Sequence, residues 1–89
     1  MAGFAIELKH SAQREFQRLP REAILRFAQA IDELAKGPLR ARAGVDIKKL
    51  HGTRSTWRLR VGDYRGIFES QKDRLVFTRF AHRSKVYDA

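Results

Sequence analysis

The chain contains no cysteine, which removes a disulfide framework, thiolate nucleophiles and cysteine-ligated zinc in one step. Its three histidines, His10, His51 and His82, are scattered and make a poor ligand set, so neither metal nor other cofactor is expected. No apolar run approaches the roughly 18 residues that a bilayer crossing needs, so no membrane partner is expected. The opening MAGFAIELKH lacks a basic segment followed by a long apolar one, unlike a secretory signal, and a cytoplasmic protein is the simplest expectation. Repeats, low-complexity tracts and interdomain linkers are also missing. Eighty-nine residues suit one domain over 1–89 with one modest core.

Acidic residues are scarce and unevenly placed. Residues 1–39 hold six Lys/Arg against five Asp/Glu, a net of +1, whereas residues 40–89 hold thirteen against five, a net of +8. The excess cation therefore lies in the half that reads as sheet. A face-specific excess of this kind, with a pI near 10.9, fits a nucleic-acid footprint better than a generally solvated basic surface. A basic membrane-surface helix fits poorly, because the helical half is nearly neutral.

Phe4-Ala5-Ile6-Glu7-Leu8 alternates as a short strand does. Ser11 is expected to cap a short helix with Ala12, Phe16 and Leu19 on one side, and Pro20 suits the first turn of a second helix. Ile24, Phe27, Ala28, Ile31, Leu34 and Ala35 form an amphipathic stripe that Gly37-Pro38 ends. A basic loop with Arg40 and Arg42 follows. Ile47 to Leu50 reads as a short strand, and Arg74 to Ala81 reads as a central strand, apolar on both faces for part of its length. The order β-α-α-β-β-β-β describes a small α+β fold, with an N-terminal strand and helical hairpin packed on a mainly antiparallel twisted sheet.

The segment WRLRVGDYRGIFE, Trp57 to Glu69, is the most informative. Trp57, Leu59 and Val61 alternate with Arg58 and Arg60, and Gly62-Asp63 makes a two-residue hairpin turn. The helices should cover the face holding Trp57, Leu59, Val61, Tyr64 and Phe68, with Gly66 admitting a closely packed helix there. Arg58, Arg60, Arg65 and Ile67 would then lie on the other face, which should be open and positive. With that turn Arg60 stands opposite Arg65, a repulsive pair unless an anion lies over both, and a phosphate backbone is the candidate anion.

Taken together, the early strand, LPREAILRFAQAIDELAKGP, Lys48-Lys49-Leu50-His51-Gly52, the arginine hairpin and the closing AHRSKVY give the chain a resemblance to the RelE/ParE superfamily of toxins from bacterial and archaeal toxin-antitoxin systems. The resemblance covers essentially the full length. It implies a ribosome-dependent endoribonuclease that cuts messenger RNA in the ribosomal A site and is held inactive by an antitoxin. The partners implied are the ribosome, messenger RNA and an acidic cognate antitoxin that folds on binding into a hetero-oligomer. Motif by motif, the resemblance implies that Arg65, Arg83 and Tyr87 are catalytic and that Arg58 and Arg60 bind RNA; Lys48 and Lys49 are further RNA-binding candidates. The implied chemistry is attack of a 2′-hydroxyl on the adjacent phosphorus, giving a 2′,3′-cyclic phosphate and a free 5′-hydroxyl.

Some members carry lysines at the two strand positions, one of them assigned a proton-transfer role. Arg58 and Arg60 stay protonated and cannot replace it. Tyr87, His82, His51 and Lys49 are the remaining proton-transfer candidates, His82 foremost because histidine changes charge near neutral pH. Each residue also has a plainer reading. Trp57 and Tyr64 pack the core, Lys48 and Lys49 are solvated edge charges, Asp63 serves the turn, His82 is structural, and Tyr87 is a loose terminal residue. Two other functions stay open: a ParE-like poison of DNA gyrase, and a noncatalytic nucleic-acid-binding module.

Overall fold

Residues 3–86 are described by a computed structural model. Strand β1 (Ala5–Leu8) leads into helices α1 (His10–Gln17) and α2 (Arg21–Ala35). Strands β2 (Ile47–Lys49), β3 (Thr56–Val61), β4 (Tyr64–Ser70) and β5 (Arg74–His82) follow. They form one five-stranded sheet in the order β1-β5-β4-β3-β2, antiparallel except where β1 runs parallel to β5. The α+β architecture is that expected, with β5 an interior strand between β1 and β4.

Two local expectations are corrected. Ser11 does not cap α1: the cap position is Lys9, with no side-chain cap bond, and Ser11 is already helical. The reason lies in the sheet, because the Lys9 N–H still donates to Phe77 O at 2.9 Å, extending the β1–β5 ladder to the helix's first turn. In α2 the buried positions are Ala23, Phe27 and Leu34, and Ala28 is exposed. Ala28 follows Phe27 by one residue, a rotation of about 100° that carries it off the buried face.

Pro20 stands at the cap of α2, just before its first turn, and Gly37 ends the helix in the left-handed region at φ 73°. The last carbonyls of α2 are then served by the chain that follows. Arg42 donates through Nη2 to Glu33 O at 2.7 Å and through Nη1 to Pro38 O and Arg40 O at 2.7 and 3.0 Å. Phe4 N donates to Ala35 O at 2.7 Å, docking the start of β1 against the helix end. On the same last turn Lys36 donates to Glu33 at 2.6 Å. That hydrogen bond, followed by the Lys36 charge, holds the Glu33 carboxyl below its ordinary range and raises Lys36 in return.

The core lies between the helices and one sheet face. Phe27, Leu34, Leu59, Phe68, Leu75, Phe77 and Phe80 are buried within it, with Trp57 and Tyr64 packed against its margin. Aromatic rings run through it without a break. Phe16 and Phe27 meet Phe80 edge-on with centroids at 5.0 and 5.2 Å, Phe80 stacks on Phe77 at 5.2 Å, and Phe68 links Phe77 to Trp57. Each such pair adds about 0.5–1.5 kcal/mol beyond simple burial.

A bulge in β5 makes this possible. Ile67 pairs with Arg79 but Phe68 pairs with Phe77, so Thr78 is extra, and Phe77 and Phe80 point to the same face although they are three residues apart. Gly66 serves these rings rather than a helix, which corrects the expected use of that glycine. A Cβ there would come within 2.9 Å of Phe80 Cε1 and 3.2 Å of Phe77 Cε2. Gly66→Ala is therefore expected to destabilise the fold by about 1–3 kcal/mol, through overpacking that stacked rings cannot easily yield to. The urea midpoint measures this, and an unchanged midpoint would show that the rings move aside freely.

Candidate nucleic-acid interface

The register of the β3–β4 hairpin is the one that a two-residue turn dictates. Val61 pairs with Tyr64, Arg60 with Arg65, Leu59 with Gly66 and Arg58 with Ile67. Lys48 pairs with Arg58 across β2, so Lys48, Arg58, Arg60 and Arg65 share the face turned away from the helices. Lys49 pairs with Trp57 and takes the opposite face, apart from these arginines.

The repulsion expected between Arg60 and Arg65 is answered from within the protein. Arg65 turns back on the hairpin loop and donates through Nη1 to Gly62 O at 2.9 Å and Tyr64 O at 3.0 Å. Arg60 turns the other way, to Asp46, with Nε 2.9 Å from Oδ2. Asp46 reaches Arg58 more loosely, at 3.8 Å from Nη2. Arg58 is only 20% exposed, and its Nε is buried with no hydrogen-bond partner among the described residues.

Arg83 lies at the same turn as Arg65. Its backbone N–H donates to Asp63 O at 2.7 Å, and its Nε is 3.7 Å from Asp63 Oδ1, with the side chain mostly exposed. The turn thus anchors both arginines that were singled out for catalysis. Asp63 does more than turn chemistry, because it also fixes the start of the tail. Residues 83–86 form turns rather than a frayed end, with Lys85 N and Val86 N both donating to His82 O. Tyr87 lies outside the described residues.

His82 is placed apart from the arginine face. It pairs with Tyr64, whose ring it meets edge-on at 5.4 Å, while the Arg65–Ala81 pair beside it points to the other face. The Ser84 N–H donates to His82 Nδ1 at 3.1 Å, which assigns the proton of the neutral ring to Nε2. His51 is exposed in the loop between β2 and β3. Among the described residues no group of three or more His, Cys, Asp or Glu is arranged to hold a metal ion, and no helix is long and apolar enough to cross a membrane.

The outer face is less open than expected. Ile67 and Val76, both at outward register positions, are buried, as is Val86 of the tail. Arg79, opposite Ile67, donates to Val86 O at 3.2 Å and so ties the tail to β5. The open basic surface is therefore the end of the face nearest the hairpin turn. Sequence reasoning passed over Asp46 and Arg79. An acid at the first outward position before a basic strand was the available signal for Asp46, whereas nothing local marked Arg79.

Comparison with known proteins follows the same lines. A family model for the ParE toxin of type II toxin-antitoxin systems, parDE, matches residues 6–87. Toxin RelE3 of Methanocaldococcus jannaschii is 43% identical over 44 residues, an alignment covering 49% of this chain and 50% of the relative. The chain thus spans about half the length of that curated relative. A chain of the RelB-RelE antitoxin-toxin complex of Methanococcus jannaschii superposes with a TM-score of 0.78 at 28% identity, over 92% of this chain and 95% of that one. The archaeal RelE-RelB complex of Pyrococcus horikoshii OT3 gives 0.76 at 26% identity, over 97% and 100%. The E. coli DinJ-YafQ complex, at 13% identity and a TM-score of 0.77 over 96% and 98%, shares the fold.

The contacts sort the cations into those that hold the fold and those offered to solvent. Arg42 belongs to the first group. Arg42→Ala is expected to cost about 1–2 kcal/mol, because three carbonyls at and beyond a helix C-terminus lose a cationic donor. Thermal unfolding reads the loss, and RNA affinity measured below the new midpoint should change less than it does for Arg60→Ala.

Proposed function

This chain belongs to the ParE toxin family of type II toxin-antitoxin systems and is RelE-like within it, and from that premise we propose that it is a ribosome-dependent endoribonuclease that stops translation by cutting messenger RNA in the A site. The observation that carries the proposal is the convergence of Arg65 and Arg83 on the Gly62-Asp63 turn, beside Arg60 on the exposed end of one sheet face, with the more buried Arg58 behind it. Cleavage by 2′-hydroxyl attack forms the O2′–P bond, breaks the P–O5′ bond and leaves a 2′,3′-cyclic phosphate. Negative charge grows on the nonbridging phosphoryl oxygens, and guanidinium groups already held in place stabilise it without reorganising. Arg65 and Arg83 take this role, each able to grip a phosphate through two parallel N–H donors. Arg58, Arg60 and Lys48 hold flanking phosphates, whereas Lys49, on the opposite face, is not placed to join them. Tyr87 stacks on a base or supports the leaving group.

Proton transfer falls to Tyr87 or, with a change of position, to His82, whose ring stands on the other face in the free protein. A site with so few acid–base groups gains most from a partner that delivers RNA in a reactive geometry, which is what the ribosome would supply in the cytoplasm. The related structures are complexes of toxins with antitoxins. By analogy, an acidic antitoxin would bind here as a hetero-oligomer and cover the cationic end of the sheet. The match to ParE toxins supports gyrase inhibition as the second reading.

The test is primer extension on messenger RNA in a translating ribosome mixture. New 5′ ends confined to A-site codons are expected, falling by about 100-fold or more in Arg65→Ala and Arg83→Ala, the scale of losing a donor to a developing oxyanion. Intact RNA in a translation-competent mixture, together with blocked supercoiling in a gyrase assay, would replace this reading with the second.

A further inference from the structure

Asp46 has no part in the chemistry proposed above, yet its carboxylate lies against two of the arginines that the chemistry employs. Arg60 N donates to Asp46 O at 2.9 Å, so Asp46 continues the β2–β3 pairing by one residue and stands opposite Arg60. Alternation from Lys48 places it on the outer face. The other acids near this hairpin are engaged elsewhere. Glu69, opposite Thr56, accepts from the Ser55 and Thr56 hydroxyls, and Asp63 serves Arg83. Among the described residues, Asp46 is the acid that pairs with Arg58 and Arg60.

We propose that Asp46 is an internal competitor for the phosphate-binding donors of Arg60 and Arg58, and so sets how tightly this face holds RNA. The inference rests on the RNA reading for its ligand. The Asp46 carboxylate stands 2.9 Å from Arg60 Nε as an ion pair, in the position a phosphate would take beside this guanidinium, and two anions repel there. Both side chains are about half exposed, 53% for Arg60 and 49% for Asp46, so the pair is weak enough for a phosphate to displace. The carboxylate also serves Arg58 incompletely: Nη2 lies at 3.8 Å, beyond a hydrogen bond, and Nε has no partner. A phosphate group brings more acceptor oxygens to these two guanidinium groups than one carboxylate does, although the buried Arg58 Nε takes no part in that contact.

The test compares wild type with Asp46→Asn, which keeps the side chain's size and removes its charge. Titration with sodium pyrophosphate, followed by calorimetry, supplies a phosphate probe that does not depend on RNA. Fluorescence anisotropy with a short single-stranded RNA supplies the second arm. Asp46→Asn should tighten pyrophosphate binding about two- to fivefold, the worth of one exposed ion pair. The gain should shrink in an Arg60→Ala background, where only the looser Asp46–Arg58 pair remains, and should not appear in Asp73→Asn, which makes the same charge change at the β4–β5 turn. No tightening, or an equal gain in Asp73→Asn or on Arg60→Ala, would overturn the proposal as a mere effect of net charge. Tightening for pyrophosphate without RNA binding by either protein would keep the competition and reject the RNA reading. RNA binding by both, with no tightening for either ligand, would do the reverse.

Discussion

The two-residue turn at Gly62-Asp63 is the constraint on which the rest of this protein depends. Gly62 adopts φ 58°, which an L side chain rarely tolerates, and closes the loop so that Val61 meets Tyr64. Every pairing along β3 and β4 follows from that closure. Arg60 must then face Arg65, Trp57 must lie over Phe68, and Gly66 must fall beneath the rings of β5. A slip of one residue would exchange the two faces, burying arginines and exposing phenyl rings. The same turn offers its carbonyls to Arg65 and to the backbone of Arg83, so it sets both the register and the position of the basic groups.

Basic charge in this chain serves two purposes that composition does not separate. Arg42 ties off the end of α2, Arg74 pairs with Glu7 across β1 and β5, and Arg79 holds the tail. The exposed Arg74–Glu7 ion pair contributes at most about 1 kcal/mol. Stability rests mainly on the aromatic core, where an unbroken series of ring contacts joins α1, α2, β5, β4 and β3. The arginines near the turn are a different population. Two are turned onto the protein's own groups, the Asp46 carboxylate for Arg60 and the Gly62 and Tyr64 carbonyls for Arg65, which answers the cross-strand repulsion.

Much of the fold was legible in the sequence because it is written in short-range periodicity. The alternation in Trp57–Val61, the Gly-Asp loop and the three-and-four spacing of Phe27, Ile31 and Leu34 each concern neighbours within a turn or a strand. The misreadings came where distant segments intervened. Ser11 lost its capping role because Phe77 extends the ladder to Lys9, and Gly66 accommodates two phenyl rings rather than a helix. The bulge at Thr78, which brings Phe77 and Phe80 to one face, was not visible because it is a matter of register against β4.

The sequence by itself determined the α+β class, the register of the arginine hairpin and the family of toxins to which the chain belongs. The class and the register follow from local pattern and turn chemistry, which need no knowledge of what lies across the sheet, whereas the family came from the resemblance of motifs along the whole chain. Only the tertiary structure decided which charges meet: Arg83 beside Asp63, Asp46 against Arg60, and His82 beside Tyr64 rather than among the arginines. Those contacts join residues from separate strands and loops. Electrostatic and hydrogen-bonding partners are set by distance in space, which pattern along the chain does not encode.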